Sequence, residues 1–458
     1  MGLVLKLVEA RADGQTRSVE VMEISRPGDL RDVANLGLTL SEAKQLLARV
    51  QQAMVAAQAC DHAALRPECA GCGGRCQVKD WRSRRIATLL GAVAVRLPRF
   101  RCPGCGRGEA GVGWPAHCRS TPELDQLQAH LSALMTYRVA TGVLAHLLPV
   151  AAGTSHETLR GRTLRAGERL RDASAIKPDV TATVAASAIA LSLDSTFVRS
   201  CHEGERHLEV RVGDAQTPEG GRQVFGAVAK AGTDIAALIR RALDAVGRTG
   251  DTALTAFTDG CPGLRSVLAD AGVASPPILD WFHLSMRLRH AEQAAEGLPP
   301  DAPDQPRAKA AIVAEVGRLR WRAWNGKAKD ARVTLERIRA LLPALGGGRG
   351  RTGEPARKLR RALRAVDRYL RGQSAWLVDY AERHRAGLRV GTSLTEGTAN
   401  FLANRRMAKS QQMRWSRRGA DLLLQVRCAA CNGALGSGLG HLFEPVPSQP
   451  HPSLAEAA

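Results

Sequence analysis

Four cysteines arrive as two matched pairs, Cys69 and Cys72 in "PECAGCG" and Cys102 and Cys105 in "FRCPGCG". Each Cys-x-x-Cys puts two thiols on one tight turn, and two such turns can close a tetrahedron of soft donors around Zn²⁺. Between them "RIATLLGAVAVRLPRFRC" alternates about Gly91 like a hairpin. Residues 61–118 are therefore expected to form a zinc ribbon holding a structural Zn²⁺. Cys76 is a spare that can replace Cys72, and Cys118 reads as a small buried hydrophobe. A site of this kind holds a fold together and names no function.

The remaining cysteines bring the total to eleven. "MGLVLKLVEARADG" lacks the basic segment and long apolar core of an export signal, so thiols are expected to stay reduced in a cytoplasmic chain. No run approaches the roughly 18 apolar residues of a membrane span.

The rest of the chain divides by periodicity. Residues 1–60 read as an N-terminal, mainly helical region, with a short alternating segment before a helix that Thr39 or Ser41 can cap and Glu42 can support. Residues 119–175 read as three short helices, parted by Arg138 and by "PVAAGT". This is either a helix-turn-helix-like DNA-binding region or a plain helical connector. Past a linker the period changes to two. "AIALSLDSTFV", "HLEVRVGDA" and "RQVFGAVAK" are three successive strands, "TDIAALIRRALDAVGRTG" is a helix with Thr233 as cap, and "TALTAFTDG" is a fourth strand. That order, with "PPILD" as a fifth strand, is that of a ribonuclease H-like core over 186–290. The expected fold is thus α/β, with an all-helical insertion at 291–390, C-terminal helices of the core at 391–437 and a disordered tail at 438–458.

Charge narrows the partners. The net charge is +21, a surplus that favours polyanions, nucleic acid first among them, although an Arg-rich solvated surface gives the same count. Between 307 and 371 nineteen Lys and Arg face five acids. "NRRMAKSQQMRWSRRGA" carries Arg405, Arg406, Lys409, Arg414, Arg417 and Arg418 with no acid among them. Cations there could neutralise phosphates while Trp415 stacks on an unpaired base; a merely solvated face is the competing reading. Trp321 and Trp324 read as core anchors of the insertion.

Asp194 interrupts the apolar run "ALSLDSTF", and an acid there is costly unless paired or bound to a cation. Arg199 or Arg211 could supply the pair. Asp259 closes the fourth strand, where a simple Asp-Gly turn is the alternative. Glu396, in "GTSLTEGTANFL", starts a later helix, where a first-turn acid is also favoured by the helix dipole. Strands one and four would be neighbours, so the carboxylates would face one cleft. Hard oxygen donors of that kind suit Mg²⁺ (or Mn²⁺).

"TDGCPGL" followed by "LDWFHLSMRLRH" resembles the DDE transposases. "EGTANFLANRRMAKSQQMRWSRRGADLLLQVRCAACNG" and the ribbon resemble the ISKra-type bacterial insertion-sequence transposases, over roughly residues 60–435. The resemblance implies a catalytic triad of Asp194, Asp259 and Glu396 and a helical insertion before the glutamate. It also implies a supporting role for Asp280 and His283 beside the cleft, where a helix cap by Asp280 is the competing reading. Ser-Thr follows Asp194 where many relatives have Asp-Gly. The implied activity is metal-dependent hydrolysis and strand transfer at the inverted repeats of a mobile element. Double-stranded DNA would be the partner and a homo-oligomer the acting form, on the bacterial nucleoid. The rival functions are a zinc-ribbon DNA-binding regulator descended from an inactive transposase and a structure-selective nuclease.

Overall fold

Alternation in the first residues and a capping box before a long apolar-periodic run dictate how the chain begins. A computed structural model describes residues 2–10, 16–27, 32–109, 112, 114, 119–150, 155–175, 184–299, 307–342, 353–391, 397–407 and 413–435. The chain divides into two compact units, the second Arg171–Asn432 and the first the residues on either side of it.

In the first unit β1 (Gly2–Ala10) and β2 (Thr16–Ser25) form an antiparallel hairpin. Residues 2–10 and 16–25 are thus strand, not helix, as their period of two requires. α1 (Leu40–Leu65) begins in a capping box made by Thr39 and Glu42, and Arg26 grips the same Glu42. β3 (Gln77–Thr88) and β4 (Gly91–Arg101) pair antiparallel around Gly91, whose φ of 114° is open only to glycine without strain. β5 (Gly108–Glu109) adds a third strand to that sheet. α2 (Pro122–Leu134), α3 (Tyr137–Leu147) and α4 (His156–Ala175) follow. The break between α2 and α3 falls at Met135–Thr136, because Thr136 caps α3 by accepting from the Val139 N–H; Arg138 therefore lies within α3 and separates nothing. Cys118 and the expected tail at 438–458 lie outside the described residues.

The second unit is built on a five-stranded mixed sheet. β6 (Ala188–Arg199), β7 (His207–Gln216) and β8 (Arg222–Val228) run antiparallel to one another; β9 (Ala253–Thr258) lies parallel to β6, and β10 (Ile278–Leu279) parallel to β9. The spatial order is β10-β9-β6-β7-β8. One face buries Ile189, Leu191, Leu193, Ala215, Phe225 and Ala227 under α5 (Ile235–Ala245) and α6 (Pro262–Asp270). α5 is capped by Asp234, which accepts from the N–H groups of Ala236 and Ala237. Thr233, the cap expected from sequence, instead donates its hydroxyl to Asp421. The other face buries Val198, Leu208, Val210, Val212 and Val224 under a π-helix at Asn400–Arg405 and α12 (Arg417–Cys431).

β8 would be an open edge, and α12 closes it with polar side chains. Asp421 accepts from the Val228 N–H (2.9 Å), Gln425 donates to the Gly226 carbonyl (2.9 Å), and Asn432 both accepts from and donates to Val224 (2.8 Å each). Side chains thus replace the missing strand.

Between β10 and the π-helix the chain is helical: α7 (Trp281–Glu296), α8 (Ala308–Trp324), α9 (Ala328–Leu341), α10 (Gly353–Gln373) and α11 (Tyr380–Arg385). α7 to α10 share an apolar core of their own, including Leu288, Leu319, Leu335, Leu359 and Leu363. Trp324 packs edge-on to Trp281 at 4.7 Å, as an anchor should. Trp321 does not: it is 56% exposed and Lys327 sits 4.9 Å above its ring.

Gly213, in the middle of β7, faces the tightest packing in the sheet. A Cβ there would stand 2.3 Å from the Ser192 carbonyl oxygen and 2.6 Å from the Phe225 ring. Backbone cannot yield as a flexible side chain can. Gly213→Ala is expected to destabilise the second unit by about 3 kcal/mol or more, read as a lowered urea midpoint. Gly226→Ala, whose closest contacts would be 3.1 Å, should cost clearly less.

Candidate active site and metal centre

Strand register places three aspartates in one row. Leu193 of β6 pairs with Thr258 of β9, and Thr258 pairs with Leu279 of β10. The next residue on each strand is Asp194, Asp259 and Asp280. The Asp280 N–H continues the ladder by donating to the Thr258 carbonyl (3.0 Å). Three carboxylates therefore step across three adjacent parallel strands, spaced by roughly 4.8 Å per strand. The row lies at the carboxyl ends of β9 and β10 and within the neighbouring β6.

Each acid is held differently. Asp194 has a side chain only 13% exposed, and its Oδ1 accepts from the Ser195 N–H (2.7 Å). Burial pushes its carboxyl up to about 6; His283 opposes the rise, and Asp259 and Asp280 add to it. Neither arginine suggested by the sequence is shown pairing with it. Arg211 is engaged by Glu209 (3.0 Å), while the Arg199 carbonyl accepts from the Trp415 N–H. The side chain that approaches Asp194 is His283, whose Nε2 stands 3.8 Å from Asp194 Oδ1 and 3.7 Å from Asp280 Oδ2. Asp280, 1% exposed, caps α7 by accepting from the Phe282 N–H (2.8 Å). Cap and neighbour of the cleft are thus one residue.

Asp259 sits on a turn that the helical insertion clamps. Its Oδ1 accepts from the Cys261 N–H (2.8 Å), and its carbonyl accepts from the Tyr369 hydroxyl (2.8 Å). The Gly260 carbonyl accepts from Gln373 (2.7 Å) and Arg265 (2.9 Å). Gly260 has φ of 86°, and a Cβ there would stand 2.7 Å from Gln373. At the neighbouring strand end the Tyr380 hydroxyl donates to the Leu279 carbonyl (2.6 Å). Burial pushes both phenols above their ordinary range, so each remains a donor. Sequence reasoning missed Tyr369, Gln373 and Tyr380. The available signal was scarcity, for two of only three tyrosines lie here.

Glu396 lies outside the described residues. The chain enters that stretch from Gly391, whose ideal Cβ would stand 2.7 Å from Asp280 Oδ1. The Val390 carbonyl accepts from the Trp281 N–H (3.2 Å).

The basic run separates into different roles. Arg405, Arg414 and Arg418 are exposed, and Lys409 lies outside the described residues. Arg406 is 3% exposed and Trp415 8%, with the guanidinium 5.6 Å from the indole. Trp415 donates its indole N–H to the Met407 carbonyl (3.1 Å), and its backbone bridges to the end of β6. A buried indole has no face to offer a base, which corrects the stacking role. Arg417 is bound to Glu205 and to the Ala229 carbonyl. Only the exposed members keep the expected capacity for phosphate.

In the first unit, Cys69, Cys72, Cys102 and Cys105 bring their sulfurs within 4.8 Å of one another. Among the described residues this is the tightest group of potential metal ligands. The separations of 3.5 Å (Cys69–Cys105), 3.4 Å (Cys72–Cys102) and 3.7 Å (Cys72–Cys105) suit one ion, since Zn–S bonds of about 2.3 Å give a tetrahedron with edges of about 3.8 Å. The Gly71 N–H donates to Cys69 Sγ (3.4 Å), and backbone donation from Cys105, then the Cys72 side chain, hold the Cys102 thiol down to about 6. Cys76 is fully buried beside Phe100 and outside the group, so it does not stand in for Cys72.

No family model and no curated protein matches the chain. Among solved structures it is similar to the Drosophila P element transposase strand transfer complex, at 12% identity and a TM-score of 0.33, over 70% of this chain and 94% of that one.

Two measurements follow from this geometry. Because the folded value of Asp194 lies above its ordinary 3.8, its contribution to stability is fully present below about pH 4 and lost as pH rises through about 6. Asp194→Asn should stabilise the metal-free protein at pH 7.5 by on the order of 1–3 kcal/mol, with the gain vanishing near pH 4 in urea unfolding. An equal gain at both pH values would contradict the desolvated carboxylate. For the thiols, metal analysis should find about one zinc per parent chain and none in Cys102→Ser.

Proposed function

We propose that the chain is a DDE transposase of the ISKra type on a ribonuclease H-like core, acting on double-stranded DNA in the bacterial cytoplasm as a homo-oligomer. The observation that carries the reading is the row Asp194–Asp259–Asp280 across three neighbouring parallel strands, within β6 and at the ends of β9 and β10. Its first member is an acid kept inside an apolar sheet at a cost in stability. Glu396 is the third catalytic acid in this reading, and the ribbon and N-terminal helices bind the ends of the element.

Mg²⁺ (or Mn²⁺) bound there would supply an activated water and a clamp on the attacking and leaving oxygens. The side chains do the positioning. Asp194 and Asp259 offer hard oxygen donors from neighbouring strands. Asp280 fixes the start of α7 and so the place of His283, which lies beside Asp194 and within reach of a flanking phosphate. Tyr369, Gln373 and Arg265 hold the Asp259–Gly260 turn against movement, so that the carboxylate keeps its aim when charge builds at the phosphate. The freed 3′-hydroxyl of the element would then attack target DNA in the same site.

Asp259→Asn is the test, since it keeps shape and removes the charge. It should bind element-end duplex within about twofold of the parent, with the same steep salt dependence, and lose Mg²⁺-dependent nicking and strand transfer by at least about a hundredfold. Undiminished nicking would defeat the catalytic assignment. A parent that binds but never nicks, with Mg²⁺ or Mn²⁺, would instead identify a DNA-binding regulator; nicking without strand transfer would identify a nuclease.

A further inference from the structure

The helix that clamps the Asp259 turn has a second face. Along α10 the arginines at 357, 361, 364, 368 and 371 are spaced four, three, four and three residues apart, so they share one side of the helix. All five are exposed, Arg361 to 77%, while Leu359, Leu363, Val366 and Leu370 on the opposite side are buried. The stripe is about 21 Å long at 1.5 Å per residue.

Part of its charge has no carboxylate partner inside the protein. Glu354 takes Arg357 (2.8 Å) and reaches Arg361 only at 4.0 Å; Asp367 takes Arg371 (2.9 Å) together with Arg339. Among the described residues no carboxylate meets Arg364 or Arg368. Five guanidinium groups in line repel one another, and an ordinary solvated helix face would mix signs along such a row. Only α10's inner face explains its packing; the outer face needs a polyanion.

We propose that the outer face of α10 is a docking track for the phosphate backbone of double-stranded DNA, leading to the aspartate row. Duplex DNA carries one phosphate per 3.4 Å of axis on each strand, so the stripe spans about six base steps. Guanidinium forks suit phosphate oxygens better than ammonium groups would. The track is in register with the chemistry: Arg368 and Arg371 flank Tyr369, which holds the Asp259 carbonyl, and Gln373 in the next turn holds Gly260. The last turn of the stripe therefore belongs to the same part of α10 that holds the Asp259–Gly260 turn. This inference rests on the functional reading above for its direction, though not for the binding itself.

The test compares the parent, a stripe variant carrying Arg361→Glu, Arg364→Glu and Arg368→Glu, and a charge-matched control. The control carries Arg206→Glu, Arg289→Glu and Lys329→Glu, exposed positions outside the stripe. Binding of a fluorescein-labelled duplex is followed by anisotropy across a potassium chloride series, with thermal melts confirming that the variants fold. The stripe variant should lose at least about tenfold in affinity, and its slope of log K against log salt should fall by about 2–3, one phosphate contact accounting for about 0.9. The control should lose clearly less in both. A milder variant, Arg364→Gln with Arg368→Gln, serves if the reversals do not fold, and should lower the slope by about 1–2. Unchanged affinity and slope in folded stripe variants overturn the proposal. So does a loss no larger than the control's, or one seen only with RNA or anionic vesicles and not with duplex. Mg²⁺-dependent nicking is assayed alongside with Asp259→Asn. If the stripe variant loses binding but the parent never nicks, the track stands and the catalytic reading falls.

Discussion

A carboxylate that cannot be comfortably ionised governs the second unit. Asp194 stands on a strand whose neighbours Leu191 and Leu193 are buried, and removal from water penalises its charged form. Proteins tolerate such a group when something offsets the penalty, and here nothing on the strand does so fully. His283 approaches without closing to hydrogen-bond distance, and the two other aspartates of the row make matters worse. A divalent ion at such a row would add attractions that offset the desolvation of Asp194 and the mutual repulsion of the carboxylates.

That arrangement only helps if the acids hold still, and the helical insertion provides the rigidity. Tyr369, Gln373 and Tyr380 reach from the insertion to the backbone carbonyls that end β9 and β10. A hydroxyl bound to a carbonyl fixes the strand end without consuming either oxygen of the acid. Trp281, Trp324 and Tyr380 stack behind them, with Trp324 and Tyr380 at 5.9 Å, and seat the start of α7 where Asp280 and His283 stand. An insertion of this kind is more than a bulky loop. It has its own core, and it turns that rigidity on the turn that carries Asp259.

Much of this was legible in the sequence, and the limits have physical causes. The succession of strands and helices from 188 to 296 shows in the change of period, and Asp194 stands out because an acid breaks an apolar run. The alignment of Asp194, Asp259 and Asp280 in one row does not show, since the register of parallel strands is set by tertiary pairing and not by any turn. Tyr369 and Tyr380 are 110 and 101 residues from their acceptors, beyond any local pattern. Trp415 and Arg406 misled because charge composition says nothing about burial. Arginine is readily buried where carbonyls accept it, as Arg427 shows by donating to Leu402 and Phe401. The absence of acids in that run reflected partners elsewhere, Glu205 for Arg417 among them, and not only exposure to a polyanion.

The chain also offers two donor sets of different chemical type. Four thiols offer soft, readily deprotonated sulfur on turns stiffened by N–H donors, a set that selects Zn²⁺ and leaves Mg²⁺ in water. The aspartate row offers hard oxygen at wider spacing, which suits a hydrated ion that needs only a few protein ligands and can share its remaining positions with phosphate. Zinc prefers thiolate to carboxylate, so the two sets would not compete for the same ion. Among the described residues His283 is a borderline donor near the acids. Its Nε2 stands 3.8 Å from Asp194 and 3.7 Å from Asp280, beside both carboxylates but outside hydrogen-bond distance of either.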